Sequence, residues 1–187
     1  SQSTASSQPT WSSADGGVYD YDGVDDHWVT GSITSPSLRT QAMWFKINSG
    51  STGYRRLFQF GVNKSSALIW SGTDDIVVYY QAVSEDTGIV PSEDVWHFLV
   101  MSRTDNPDLI TVYLDGVEIY ANTPASGAIE SGVFTSGATT GGGQSWDGLL
   151  GDVRIYDRGL TSSEQLAIAD NTGATYFPYF SGFTESF

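Results

Sequence analysis

Cysteine is absent from the 187 residues, which excludes a disulfide framework, a thiolate nucleophile and a cysteine-ligated metal. Basic residues are scarce: Lys and Arg total 8 against 22 Asp and Glu, for a net charge of −14. Nucleic-acid binding draws on clustered cations that displace counterions from phosphates. Arg55-Arg56 is the one adjacent basic pair, so no nucleic-acid partner is expected. The same shortage disfavours an anionic membrane surface. Long apolar runs are missing as well: no window nears the roughly 18 apolar residues that span a bilayer, and membrane insertion is not expected. The opening residues, Ser1 to Thr10, have neither the basic start nor the apolar stretch of a secretory leader. Histidine occurs only as His27 and His97, each beside a Trp in an apolar run, and there is no Gly-x-Ser-x-Gly elbow. No nucleophilic triad is expected, and both histidines read as structural.

What the chain does have is a succession of short apolar and aromatic runs, each bounded by Gly, Asp, Asn, Ser or Pro. Eleven of them read as strands: 18–21, 27–31, 40–47, 56–60, 67–71, 76–83, 96–103, 109–114, 117–120, 132–135 and 148–156. Many short strands separated by turn signals point to an all-β sandwich or barrel. The period is two. Gln41, Met43, Phe45 and Ile47 alternate with Thr40 and Lys46; Ile110, Val112 and Leu114 alternate with Thr111, Tyr113 and Asp115; Val153 and Ile155 alternate with Asp152, Arg154 and Tyr156. Each set therefore lies on one sheet face. The aliphatic set is the expected core, and the aromatic and polar set the expected wetted face. Asp115-Gly116 between two such runs predicts a tight hairpin, and Gly137–Gly143 a loop.

One helix is expected, short and at the rim of the sandwich. Thr161 and Glu164 have the spacing of a capping box, and the helix should stop near Asn171–Gly173. The chain thus divides into a Ser/Thr-rich arm over 1–16 with Trp11 as its anchor, a domain over 17–170, and an aromatic tail over 171–187 that packs on its own domain or on a neighbour.

Six phrases occur in one order: Tyr21-Asp22-Gly23-Val24-Asp25-Asp26-His27-Trp28-Val29, Ala42-Met43-Trp44-Phe45-Lys46, Leu57-Phe58-Gln59-Phe60-Gly61, Val95-Trp96-His97-Phe98-Leu99-Val100, Val112-Tyr113-Leu114-Asp115-Gly116, and the long run from Asp147 to Thr161. Together they resemble the laminin-G-like, concanavalin A-like lectin/glucanase superfamily over about residues 18–170. The resemblance implies two stacked antiparallel sheets in a jelly-roll sandwich. It also implies a calcium ion held at the sandwich edge by residues matching Asp22, Asp25 and Asp26 at the start and Asp147 and Asp152 near the end. The bland alternative is that Asp-Gly pairs only mark turns.

The fold hosts lectins, glucanases, adhesion modules and virion proteins, so function has to be read from sites. Glucanases of this fold carry their acids as a Glu-x-Asp-x-x-Glu or Glu-x-Asp-x-Glu string on one strand, and neither string is present. No catalytic residue is assigned. Sugar binding stacks aromatic rings on pyranose faces, and the candidates are Trp70, Tyr80, Tyr113 and Tyr156 on strands and Trp146 at a loop tip, against a core-packing alternative for each. The expected function is a non-enzymatic recognition module for a glycan or another surface protein, extracellular or on a virion. Two alternatives stand beside it. One is a capsid-decoration or fibre component assembling through its arm and tail as a homo-oligomer or with a capsid partner. The other is a glycosidase-related protein.

Overall fold

A computed structural model describes residues 7–33, 39–61, 65–80, 83–105, 108–123 and 132–176. In chain order the strands are β1 (Thr10–Ser12), β2 (Val18–Asp22), β3 (Trp28–Ile33), β4 (Arg39–Ile47), β5 (Arg55–Phe60), β6 (Ser65–Ile69) and β7 (Ile76–Tyr80). They continue with β8 (Val83–Asp86), β9 (His97–Asp105), β10 (Asp108–Leu114), β11 (Val117–Asn122), β12 (Gly132–Ser136) and β13 (Asp147–Tyr156), before helix α1 (Ser162–Tyr176). They form a seven-stranded sheet, β1-β2-β13-β4-β9-β10-β11, and a six-stranded sheet, β3-β12-β5-β6-β7-β8, with every pairing antiparallel. This is the two-sheet jelly-roll sandwich that the family resemblance implies, and it decides between the sandwich and the barrel that the run pattern left open.

Alternation of side chains builds the core between the sheets. Met43, Phe45 and Leu99 on one sheet meet Phe58, Phe60 and Val78 on the other, all at most 2% exposed. Full burial of each such side chain is worth about 1.5–3 kcal/mol. At the β10–β11 hairpin both Asp115 and Gly116 adopt positive φ, 51° and 79°, as a primed turn requires. The Asp115 carboxylate then accepts the Phe98 amide at 2.8 Å and faces His97 Nδ1 at 2.6 Å. His97 Nε2 lies 3.1 Å from the Ser92 carbonyl, and His27 Nδ1 2.8 Å from the Asp25 carbonyl.

The structure departs from the sequence expectations in four places. The arm is not wholly outside the domain: Thr10–Ser12 pairs with β2 in the register Trp11↔Tyr19 and becomes the edge of the seven-stranded sheet. The helix is longer than expected and lies on a sheet face rather than at the rim. Its Ala169 packs with Val18, Ala42, Trp44, Phe98 and Val100, each at most 1% exposed. The face read as wetted is therefore dry where α1 covers it. Val153 leaves its alternation because β13 is bulged between Gly151 and Arg154, and it becomes 40% exposed. The capping box forms as expected. The Glu164 amide donates to Thr161 Oγ1 at 3.3 Å, the Thr161 amide donates to Glu164 Oε2 at 2.9 Å, and Arg158 pairs with Glu164 at 2.6 Å. The tail aromatics Phe177, Tyr179, Phe180, Phe183 and Phe187 lie outside the described residues.

Candidate functional site

Two hollows flank the β2–β13 pair. At one end, Asp22 sits opposite Asp147 in the ladder, and a basin of about 510 Å³ opens between Gln8, Thr10, Asp20, Asp26, Asn48 and these two acids. Oxygens of Asp22, Asp25 and Asp26 lie within 4.8 Å of one another. Local bonds fix them. Asp26 Oδ2 accepts the Asp22 amide at 3.1 Å, Asp22 Oδ1 accepts the Val24 amide at 2.8 Å, and Asp25 Oδ2 accepts the Ser7 hydroxyl at 2.7 Å. Asp147 Oδ1 accepts from Asn48 at 2.8 Å. Gly23 has φ +77°, and a Cβ there would stand 2.9 Å from the Asp147 Cβ, so the turn needs glycine to bring Asp147 close.

The electrostatics of the basin are unfavourable as it stands. Burial pushes the Asp26 carboxyl above the usual carboxylate range, and the Asp22, Asp25 and Asp20 charges add to the rise against the Asp22 amide. Burial also raises Asp20, helped by Asp147 and opposed by Lys46. Clustered carboxylates of this kind, each with lone pairs to spare, suit a hard divalent cation that takes oxygen ligands. Of the five acids assigned from the sequence, Asp22, Asp25 and Asp26 come together and Asp147 stands at the rim of the same basin. Asp152 does not join them. The bulge carries it to the other hollow, where it pairs with Arg154 Nε at 2.9 Å and 3.1 Å. Asp20 and Asn48 belong to the basin but were not singled out from sequence, because their membership follows from strand register rather than from the Asp-rich run.

The second hollow is a cleft of about 410 Å³ between the β1-β2-β13 edge of one sheet and the β3-β12 edge of the other. Its rim is aromatic. Trp11 stands edge-on to Tyr19 with centroids 5.0 Å apart, and Tyr19 edge-on to Trp28 at 5.4 Å, which bridges the two sheets. Trp11 is 58% and Trp28 43% exposed. Gly17, at φ +102°, lets the Trp11 ring lie down: a Cβ would be 2.5 Å from its Cη2. The floor is Phe134, Leu150 and Ile155, and the polar wall groups are Tyr21, Thr30, Ser136 and Asp152. Tyr21 lines both hollows, and burial raises its phenol, with the Ser136 hydroxyl 3.1 Å away opposing.

None of the five aromatics assigned from sequence lines this cleft. Trp146 is not a loop-tip contact but a core residue, 0% exposed and edge-on to Phe45 at 5.7 Å, because Gly137 and Gly23 hold its backbone in the sheet-edge turn. Tyr80 is buried against the Arg103 guanidinium, to which its hydroxyl bonds. Tyr113 anchors the helix start, its hydroxyl bonding Glu118 and Ser162, each at 2.9 Å. Tyr156 ends β13, opposite Thr40 of β4. Trp70 stands edge-on to Tyr54 at 4.7 Å, half-buried beside the β6–β7 turn. Trp11, Tyr19 and Trp28 were missed as a group because they come from three strands on two sheets. The available signal was an unusual density of Trp and Tyr in the first 28 residues, within and just after a segment read as an arm.

Two stacked antiparallel sheets in this order define a class of fold, the jelly-roll sandwich. The chain belongs to the laminin-G-type family described as the Concanavalin A-like lectin/glucanases superfamily, which matches residues 21–164. No curated protein matches it in sequence. Among solved structures it is similar to domain 4 of AbnA, an extracellular arabinanase from Geobacillus stearothermophilus in complex with arabinotriose, at 21% identity and TM-score 0.67, covering 86% of this chain and 81% of that one. It is similar to the heptameric SAP-like pentraxin of Limulus polyphemus at 18% identity and TM-score 0.64, covering 80% of each chain. It is also similar to the CBM40 domain of the Ruminococcus gnavus IT-sialidase bound to sialyllactose, at 11% identity and TM-score 0.57, covering 75% of this chain and 97% of that one. At these identities the likeness is one of fold.

Proposed function

We propose that this domain is a carbohydrate-recognition module that binds its ligand in the aromatic cleft and is stabilised by a divalent cation, calcium by its oxygen donors, in the acidic basin. The observation that carries the reading is the exposed pair Trp11 and Trp28 flanking Tyr19 over a cleft large enough for a sugar residue. Ring faces offered to solvent at the mouth of a preformed hollow suit the apolar faces of pyranoses. Two of the similar folds are described with a bound oligosaccharide, arabinotriose in one and sialyllactose in the other, which supports this ligand class. Binding without turnover is favoured because glycoside hydrolysis takes two carboxylates astride the bond, and among the described residues the cleft wall carries Asp152 alone. The proposed setting is extracellular or on a virion surface, where such ligands are met.

The test is a glycan array read with labelled protein in calcium, followed by titration calorimetry of the best ligand against the Trp28→Ala variant. Specific binding that Trp28→Ala weakens by tenfold or more supports the reading. An array without signal, or binding indifferent to both Trp11→Ala and Trp28→Ala, overturns it.

A further inference from the structure

We infer that the cleft selects uncharged saccharides, with Asp152 as the residue that reads their hydroxyls. This rests on the glycan reading above and adds the ligand's class and a specificity residue. Asp152 stands at φ 45° in the β13 bulge, a left-handed position that non-glycine residues seldom occupy. Bulges re-aim side chains, and strained backbone concentrates at binding sites. Here the bulge sets both Asp152 and Val153 in the cleft wall, with Val153 partly open to solvent.

The other polar wall groups are already engaged. Thr30 Oγ1 receives the Phe134 amide at 3.0 Å and lies 3.3 Å from the Phe134 carbonyl, and the Tyr21 and Ser136 hydroxyls bond each other at 3.1 Å. Asp152 is also paired, with Arg154, but a carboxylate has about four acceptor positions and Arg154 Nε occupies two. It is therefore the wall group with the most acceptor capacity left, against hydroxyls that each keep one position or two, and it suits a pair of sugar hydroxyls. It is also the one charged group in the cleft wall among the described residues, because Arg154 lies outside that wall. With a net charge of −14 on the whole chain, an anionic ligand meets repulsion on approach, and in the wall the Asp152 carboxylate, though paired with Arg154, offers acceptors and no donor to a second anion. Two of the structures this fold resembles are described with oligosaccharides, and the one carrying sialic acid is the kind of ligand this cleft should refuse.

The experiment pairs neutral and acidic probes of matched size: lactose with sialyllactose, and xylotriose with trigalacturonate, titrated into the wild type and into Asp152→Asn. Asparagine tolerates positive φ, so the variant keeps the bulge, and an unchanged melting temperature verifies that. The expected result is that the neutral member of a pair binds at least tenfold more tightly, and that Asp152→Asn loses about tenfold on it while narrowing the gap to the acidic member. Equal or tighter binding of an acidic probe, weakened by Trp28→Ala, overturns the neutral selection and leaves glycan recognition standing. Binding of neutral probes that Asp152→Asn does not change overturns the role of Asp152. If none of the four probes nor any array glycan binds, both readings fall together.

Discussion

The β2–β13 pair carries both hollows, and its two ends are opposites. At the Asp22↔Asp147 end, carboxylates crowd one another until burial and mutual repulsion lift Asp20 and Asp26. Toward the other end, Tyr19 faces Leu150 and aromatic surface is left in water at Trp11 and Trp28. Each end is a local cost that folding alone does not relieve. The basin gathers oxygen acceptors that a cation would satisfy, and the cleft offers rings that an apolar ligand face would cover. The contrast teaches that one rigid ladder can hold two sites of different chemistry, because the loops and the bulge, and not the ladder, decide which side chains its ends present.

The largest effect separates the cleft from the core. Trp146→Ala removes a fully buried ring packed on Phe45 and should cost about 3–5 kcal/mol of stability, a fall in melting temperature on the order of 10 °C. Trp28→Ala should leave the melting temperature within about 2 °C, since surface substitutions stay near ±0.5 kcal/mol, yet lose tenfold or more in glycan affinity, about 1.4 kcal/mol. Thermal melts of both variants, with calorimetry on Trp28→Ala, test the distinction. A Trp28→Ala protein as unstable as Trp146→Ala would make Trp28 part of the core and remove the cleft's open wall.

The next effect sharpens the basin. Calcium should raise the melting temperature of the wild type by several degrees at saturation, following the mass-action gain of about 2.7 kcal/mol at a hundredfold excess over Kd, and EDTA should reverse it. Asp22→Asn with Asp26→Asn should abolish the rise. Asp152→Asn should keep it, since Asp152 stands at the cleft and not among the basin acids. A calcium response lost in Asp152→Asn would return that residue to the metal set.

The fold was almost wholly legible in the sequence, and the grouping of Asp22, Asp25 and Asp26 was implied by the family resemblance. Each of the eleven candidate runs falls on a strand, because apolar runs bounded by Gly and Asp turns, with the Asp115-Gly116 hairpin, are local signals that tertiary structure did not override; β1 lay in the segment read as an arm, and the run 76–83 holds β7 and the start of β8. Asp22, Asp25 and Asp26 lie in one run and converge by local turn geometry, so sequence neighbours stay neighbours in space. The cleft was not legible, since Trp11, Trp28 and Asp152 meet only through the pairing of distant strands. Asp152 was misplaced for a specific reason. A one-residue bulge changes which face a side chain takes, and alternation counted along β13 cannot see it. Trp146 was misplaced because a glycine-rich approach looks the same in sequence whether the ring after it points out or in. The dry outer face of the seven-stranded sheet was missed because its coverage depends on where α1 lies, which no period of two reports.

The smallest expected effect is in the pH profile, and its sign differs between the basin and the helix cap. Asp20 and Asp26 are raised from 3.8 in the folded chain. As pH falls from neutral they protonate before their unfolded counterparts, so the folded state binds more protons and stability rises, with the gain complete below 3.8. Glu164 runs the other way. Its pairing with Arg158 and the Thr161 amide holds it down to about 2 from 4.5, so its contribution is present above 4.5 and lost as pH falls toward 2. Melting temperature in EDTA should therefore climb gently into mild acid and then fall below about pH 4.5. Asp20→Asn with Asp26→Asn should flatten the climb and leave the fall, while Glu164→Gln should do the reverse. In calcium the climb should vanish, because a bound cation favours the charged carboxylates and protons then compete with it. A monotonic decline from neutral pH in EDTA would show that the basin acids are relieved by something other than protons or a cation, and the contrast between the two ends of β2–β13 would lose its electrostatic half.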